Sequence, residues 1–310
     1  MKERRIPKLD FEIIIDESFL ALNPTSALKP AENKNVLSLI NDYEDGEWWI
    51  EKFQNFVWDN IAEAALSAEE RQKLISKPHS QLKEAAKNLR LTDSDDKGSG
   101  SELAEIVLYG IMKLHYKALP VVPKIFYKQN SHDNAKGSDS VHIVLSGDDF
   151  TLWYGEAKFY NSIENTRLGE IVSSVEEALQ KQKLKKENRI VSGVGDMDLL
   201  VPKKSVREEI KSLLKNGNSI DLVKPKLNIP ILLLHECPIT KANTSLSKKY
   251  RDDLIDYHKE RSEAYFKKQI SKLSSLSKYS DIKFHVILFP VASKENIVNA
   301  FLEKAALYIK

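Results

Sequence analysis

Two rhythms of apolar spacing run along the chain. Apolar residues three and four apart mark one face of a helix, whereas alternation or a short unbroken apolar run marks a strand. "FEIIID" (11–16) predicts a short strand, and "KPAENKN" (29–35) a loop. "VLSLINDYEDGEWWIEKFQNFVWDNIAEAAL" (36–66) has apolar residues at helical spacing, broken at Gly46, and predicts two helices carrying Trp48, Trp49 and Trp58 as packing anchors. Ser67, three residues before Glu70, forms a capping box that opens the next helix. A helix over 101–116, "SELAEIVLYGIMKLHY", follows. Three strands come next: "LPVVPKIFY" (119–127), "VHIVL" (141–145) and "FTLWYGEAKFY" (150–160), the last two joined by the turn "SGDD". Residues 163–185 read as one helix that runs into the basic stretch "KQKLKK", and "VREEIKSLLKNG" as another that stops at Gly217. "IPILLLHE" and "IKFHVILFPV" are unbroken apolar runs of the buried-strand kind, separated by a long charged amphipathic helix over 248–277. A helix capped by Ser293 ends the pattern.

Strands alternating with helices give an α/β fold with a mixed central sheet flanked by helices. The polar, turn-rich "LTDSDDKGSGS" (91–101) is the best boundary. It divides an N-terminal strand and helical region, 1–95, from a core over 96–310, unless the two form one continuous domain. Composition adds a few exclusions. The chain has 310 residues, 42% of them apolar and 30% charged, so it is globular rather than disordered. A net charge of +2 means that any contact with nucleic acid must come from a local patch. The single cysteine, Cys237, permits no internal disulfide and reads as a small buried apolar group. With neither a signal-like apolar segment nor a membrane-length apolar run, the expected location is cytoplasmic and no membrane contact is expected.

"WYGEAKFY" (153–160) puts a glutamate and a lysine inside an aromatic, strand-like run. Glu-x-Lys occurs three times, at Glu32, Glu156 and Glu209, but only Glu156 and Lys158 lie on a strong strand pattern. On a strand they project to one face, with Tyr154 and Tyr160, while Trp153, Ala157 and Phe159 face the other way. Gly155 should leave open space beside the pair. A hairpin at "SGDD" brings Asp139, at the mouth of the preceding strand, within reach of Glu156. Two carboxylates and a lysine are costly to bury without a purpose. Asp139 and Glu156 make a seat for Mg²⁺, which prefers oxygen ligands and keeps several waters. The lysine would orient a water or neutralise charge developing on a phosphate.

Together, "GSGSELAEIVLYGIM", "KGSDS" and "WYGEAKFY" resemble the PD-(D/E)xK nuclease superfamily. The resemblance implies a restriction-endonuclease-like core with helical N-terminal additions, and a site of a helix glutamate, Asp139, Glu156 and Lys158. Both Glu102 and Glu105 are available on the helix, Glu105 being favoured. "GSD" stands where the superfamily has a proline before the aspartate. Within it, the chain is most similar to the HamA/AbpA type of the Hachiman anti-phage systems. That resemblance implies a nuclease effector dependent on Mg²⁺ or Mn²⁺, acting on DNA and restrained by a superfamily 2-type, HamB-like helicase subunit. The aromatic helices before residue 91 and the long helix at 248–277 are the expected docking surface. The alternative is a non-catalytic adaptor of nuclease-like fold that docks a helicase or nucleic acid.

Other candidates carry less. His132, Asp133 and His142 suggest a metal site, but His142 alternates away from Asp139. "KQKLKK", with Gln180 and Gln182 nearby, could track a phosphate backbone or form a solvated face. "GVGD" (193–196) reads as a turn, and His235 and Glu236 could face the site or cap the sheet.

Overall fold

The computed structural model describes residues 8–90, 100–130 and 137–309. Residues 91–99 of the proposed boundary at 91–101, and the candidates His132 and Asp133, lie outside the described residues.

Nine strands are present among the described residues: β1 (Glu12–Ser18), β2 (Lys34–Ile40), β3 (Tyr43–Glu44), β4 (Glu47–Trp48), β5 (Leu119–Val122), β6 (Ser140–Ser146), β7 (Asp149–Tyr160), β8 (Leu227–Glu236) and β9 (Lys283–Val291). Seven form one mixed sheet in the order β1-β2-β9-β8-β7-β6-β5, and β3 and β4 make a small hairpin. The four central strands, β2, β9, β8 and β7, run parallel, and the flanking pairs are antiparallel.

Helices cover both faces, which is why the central strands read as unbroken apolar runs. Ile231, Leu233, Val286 and Leu288 join one core with residues from the helices Asn165–Ala178, Lys181–Gly193, Lys204–Leu213 and Lys248–Leu273. Leu232, Leu234, Ile287 and Phe289 face the other core, with the helices Ile50–Ala65, Pro78–Lys87, Ser101–Leu114 and Lys294–Ile309. The mixed α/β architecture therefore matches the sequence reading. Among the described residues no helix is long and apolar enough to cross a membrane.

Three local expectations are overturned. Residues 34–40, read as loop and then helix, form strand β2. This strand lies between β1 and β9 and is buried almost throughout, so it never shows alternation. "LPVVPKIFY" is strand only to Val122; after Pro123 the helix Lys124–Asn130 begins. Proline suits that place because the start of a helix needs no N–H from it. The 163–185 helix is two helices broken at Leu179 and Gln180, and "KQKLKK" opens the second. Of the aromatic residues before residue 91, Trp48, Phe53, Phe56 and Trp58 pack in the core, as the packing-anchor reading expects, and Tyr43 and Trp49 are half-buried. Cys237 is buried and free, as expected.

Candidate active site

Strand β7 outruns its neighbour. The β6–β7 ladder starts at the pair Ser140–Gly155, and the Asp139 N–H donates to the Gly155 carbonyl at 2.8 Å. Beyond that point the Asp139 side chain continues the ladder in place of a backbone. Its Oδ2 accepts the Ala157 N–H at 3.0 Å and lies 3.4 Å from Lys158 Nζ. Lys158 Nζ is also 3.7 Å from Glu156 Oε2. One ammonium thus stands between two carboxylates on adjacent chain segments.

The spacing depends on close approach at two glycines. A Cβ on Gly155 would sit 2.3 Å from Ser140 Oγ and 2.9 Å from Leu108 Cδ2. Gly155 therefore lets β6 and the Ser101–Leu114 helix close onto β7; it does not leave open space beside the charge pair. A Cβ on Gly137 would sit 1.7 Å from Glu187 Oε1. That same Glu187 oxygen accepts the Ser138 N–H at 2.8 Å, and the carboxylate pairs with Lys124 Nζ at 2.7 and 2.9 Å. Both side chains of this pair are sealed from solvent. The turn that delivers Asp139 is thus fastened from behind by a buried ion pair.

The Ser101–Leu114 helix supplies two glutamates with different fates. Both Glu102 oxygens accept the Arg90 N–H at 3.0 Å. Glu105 is buried beneath the helix, and its Oε1 accepts from Lys128 Nζ at 2.6 Å. The same Lys128 Nζ is 3.9 Å from Asp139 Oδ1. Lys128 therefore links Glu105 to Asp139 much as Lys158 links Asp139 to Glu156. Glu105 Oε2 is buried with no hydrogen-bond partner.

Burial dominates the electrostatics. It pushes the Glu156 carboxyl up to about 8, with Asp139 adding repulsion and Lys158 opposing. It pushes Glu105 up to about 7, against the pull of Lys128. Desolvation works the other way on Lys158, but Asp139 and Glu156 more than offset it and the ammonium is held above its ordinary range. Lys128 is raised in the same manner, with Glu105 and Asp139 outweighing its burial.

The donor set fits a hard divalent cation. It consists of carboxylate oxygens without sulfur or imidazole, which suits Mg²⁺ or Mn²⁺. Asp139 Oδ2 and Glu156 Oε2 already lie within 3.7 Å of one point, the Lys158 ammonium. Among the described residues no three Asp, Glu, His or Cys side chains are grouped closely enough to hold a metal ion together, so water would have to supply the rest of the shell around Asp139 and Glu156. Beside Lys158 a cleft of about 430 Å³ opens, walled by Gly100, Phe159, Tyr160, Arg167 and Lys294. A larger groove, about 1000 Å³, between the helices Asn165–Ala178 and Lys248–Leu273 holds none of these carboxylates.

The weaker candidates fall elsewhere. His142 is fully buried against Tyr109, and burial pulls its imidazole down to about 3. His235 is buried with Nδ1 on the Leu233 carbonyl, and Glu236 accepts the Lys294 N–H at the start of the last helix. In "KQKLKK", Leu184 is buried and Lys183 pairs with Glu177. Sequence reasoning missed Lys128, Lys124 and Glu187. Lys124 and Lys128 are four apart and share a helix face, a signal hidden once that segment was read as a strand and loop.

A family model described as HamA matches residues 14–305. No curated protein matches the chain.

Proposed function

The chain belongs to the HamA family of Hachiman anti-phage defence proteins, and on that premise we propose that it is a divalent-metal-dependent DNA nuclease, the effector of its defence system. The observation that carries the reading is the convergence of Asp139 and Glu156 on Lys158 at the open end of β7. Asp139 and Glu156 would hold Mg²⁺ or Mn²⁺, with Glu105 closing the far side. When bound, the metal supplies Lewis-acid polarisation of a phosphodiester and a more acidic water.

The protein's own groups do the rest. Lys158 is kept charged by its two carboxylate neighbours, so it offers a fixed positive charge to a phosphate gaining negative charge. Arg167 and Lys294 line the adjoining cleft; exchanging their present partners, Glu170 and the Phe159 carbonyl, they would give a phosphate backbone two further cations there. Tyr160 offers an aromatic face on the same wall. The partner consistent with the family is a helicase subunit that restrains cleavage until DNA triggers it. Of the aromatic residues before residue 91, Trp48, Phe53, Phe56 and Trp58 are buried in the core, whereas Tyr43 and Trp49 are half-buried.

The test is cleavage of plasmid DNA with Mg²⁺ or Mn²⁺ by the parent and by Lys158→Ala, alone and with the helicase subunit. The variant should keep its circular dichroism spectrum and lose on the order of 10²–10³ in rate. A folded Lys158→Ala protein that cuts as fast as the parent refutes the mechanism. A parent that never cuts, with or without the helicase, favours a non-catalytic docking role.

A further inference from the structure

The metal reading leaves one group without a role. Lys128 reaches into the carboxylate cluster from the helix Lys124–Asn130, opposite the strand that carries Lys158. Its Nζ is 2.6 Å from Glu105 Oε1 and 3.9 Å from Asp139 Oδ1. An ammonium between two carboxylate oxygens sits where a divalent cation bridging them would sit. Its contact with Glu105 is the shortest between charged groups in the cluster.

Its helix is not free to leave. One turn earlier, Lys124 is locked to Glu187 in the sealed pair behind the Asp139 turn. Lys128 therefore has a fixed backbone and a long stem of rotatable bonds, so only the side chain can withdraw. Around it stand Glu102, Glu105, Asp139, Glu156 and Lys158, four acids and one other cation.

We infer that Lys128 is a resident counter-cation that occupies the Glu105 side of the cluster, so that a divalent ion must displace its ammonium before Glu105 and Asp139 can both bind metal. This rests on the metal reading of Asp139 and Glu156 proposed above. The arrangement holds the carboxylates together in the metal-free protein and weakens resting metal affinity. Anything that draws the ammonium away, such as a phosphate entering the site, strengthens metal binding in return.

The test is direct metal binding, without a substrate. Mn²⁺ is titrated calorimetrically into the full-length chain as parent, Lys128→Met, Lys128→Arg or Asp139→Asn, at a mildly alkaline pH where protons compete little. Methionine keeps the apolar stem and removes the charge; arginine keeps the charge. Lys128→Met should bind Mn²⁺ at least about tenfold more tightly than the parent, the worth of roughly one charge-assisted hydrogen bond. Lys128→Arg should stay within about threefold of the parent. Unchanged or weaker binding in Lys128→Met, while Asp139→Asn abolishes binding, overturns the counter-cation role and leaves the metal seat standing. Binding that survives Asp139→Asn, or no binding in any protein, removes the metal seat and this inference with it. If Lys128→Met does not fold, the arginine variant decides: tighter binding despite the retained charge refutes the role.

Discussion

Glu156→Gln should make the metal-free protein more stable and should do so in a pH-dependent way. Glu156 is buried beside Asp139, and its carboxyl is raised from 4.5 to about 8 in the folded chain. Between those values the folded protein binds a proton that the unfolded chain has released, so stability falls as pH rises through the window. The penalty is absent below about pH 4.5 and complete above about pH 8. At pH 7 it amounts to roughly 3 kcal/mol, from about 2.5 pH units at 1.36 kcal/mol each. Glutamine keeps the shape and cannot ionise, so the penalty vanishes in the variant. Glu105 carries a shift of the same sign but is common to both proteins. Urea denaturation in chelator, followed by tryptophan fluorescence, measures the difference at about pH 5, 7 and 8.5. The stability gap should widen steadily across the series. Adding Mn²⁺ at about 100 times its Kd should then stabilise the parent by about 2.7 kcal/mol and leave the variant nearly unmoved. A gap independent of pH, or a variant less stable than the parent at alkaline pH, would refute the reasoning.

Three further outcomes follow from the same geometry. Glu105→Gln should reduce plasmid cleavage far more than Glu102→Gln, because Lys128 ties Glu105 to Asp139 while Glu102 holds the Arg90 backbone; the reverse order would reassign the helix glutamate. Glu187→Ala strands a buried ammonium and should cost about 3–5 kcal/mol in denaturant melts, most of it recovered in the double variant Lys124→Met/Glu187→Gln; a loss below about 1 kcal/mol would show that the pair is not the brace described. Gly155→Ala drives a methyl group into Ser140 and should cost about 1–3 kcal/mol, with cleavage falling as Asp139 shifts from Ala157; an unchanged melting curve would contradict that packing.

The fold was legible where one physical signal dominated. Strand β7 is rich in aromatic residues, and the β6–β7 turn immediately precedes it in sequence, so the Asp139–Glu156 approach could be inferred from local pattern alone. Strand β2 could not. Its apolar residues Val36, Leu37, Leu39 and Ile40 satisfy helical spacing, and burial on both faces removes the alternation that would have exposed it. The segment after Pro123 failed for a related reason: Ile125 and Phe126 continue an apolar run, and only the tertiary pairing of Lys124 and Lys128 reveals a helix. Glu187 lies in a run of lysines, asparagine and arginine that looks solvent-facing, yet it is sealed against Gly137. Charged residues that act through burial leave no periodic trace.

The parallel pairing of β2 with β9 also governs how this protein is made. Val36 opposes Val286, so the two halves of that ladder leave the ribosome 250 residues apart. At about 5–20 residues per second, β2 waits roughly 12–50 seconds for its partner. Throughout that interval β1 and β2 can pair, but the inner edge of β2 is a bare apolar strand open to other chains. Strands β6, β7 and β8 are complete by residue 236, so the acidic cluster can be assembled while the other side of the sheet is still unfinished. A ribosome stalled before Lys283 would therefore release a chain with its carboxylates in place and two unsatisfied sheet edges, at β2 and β8, primed to aggregate.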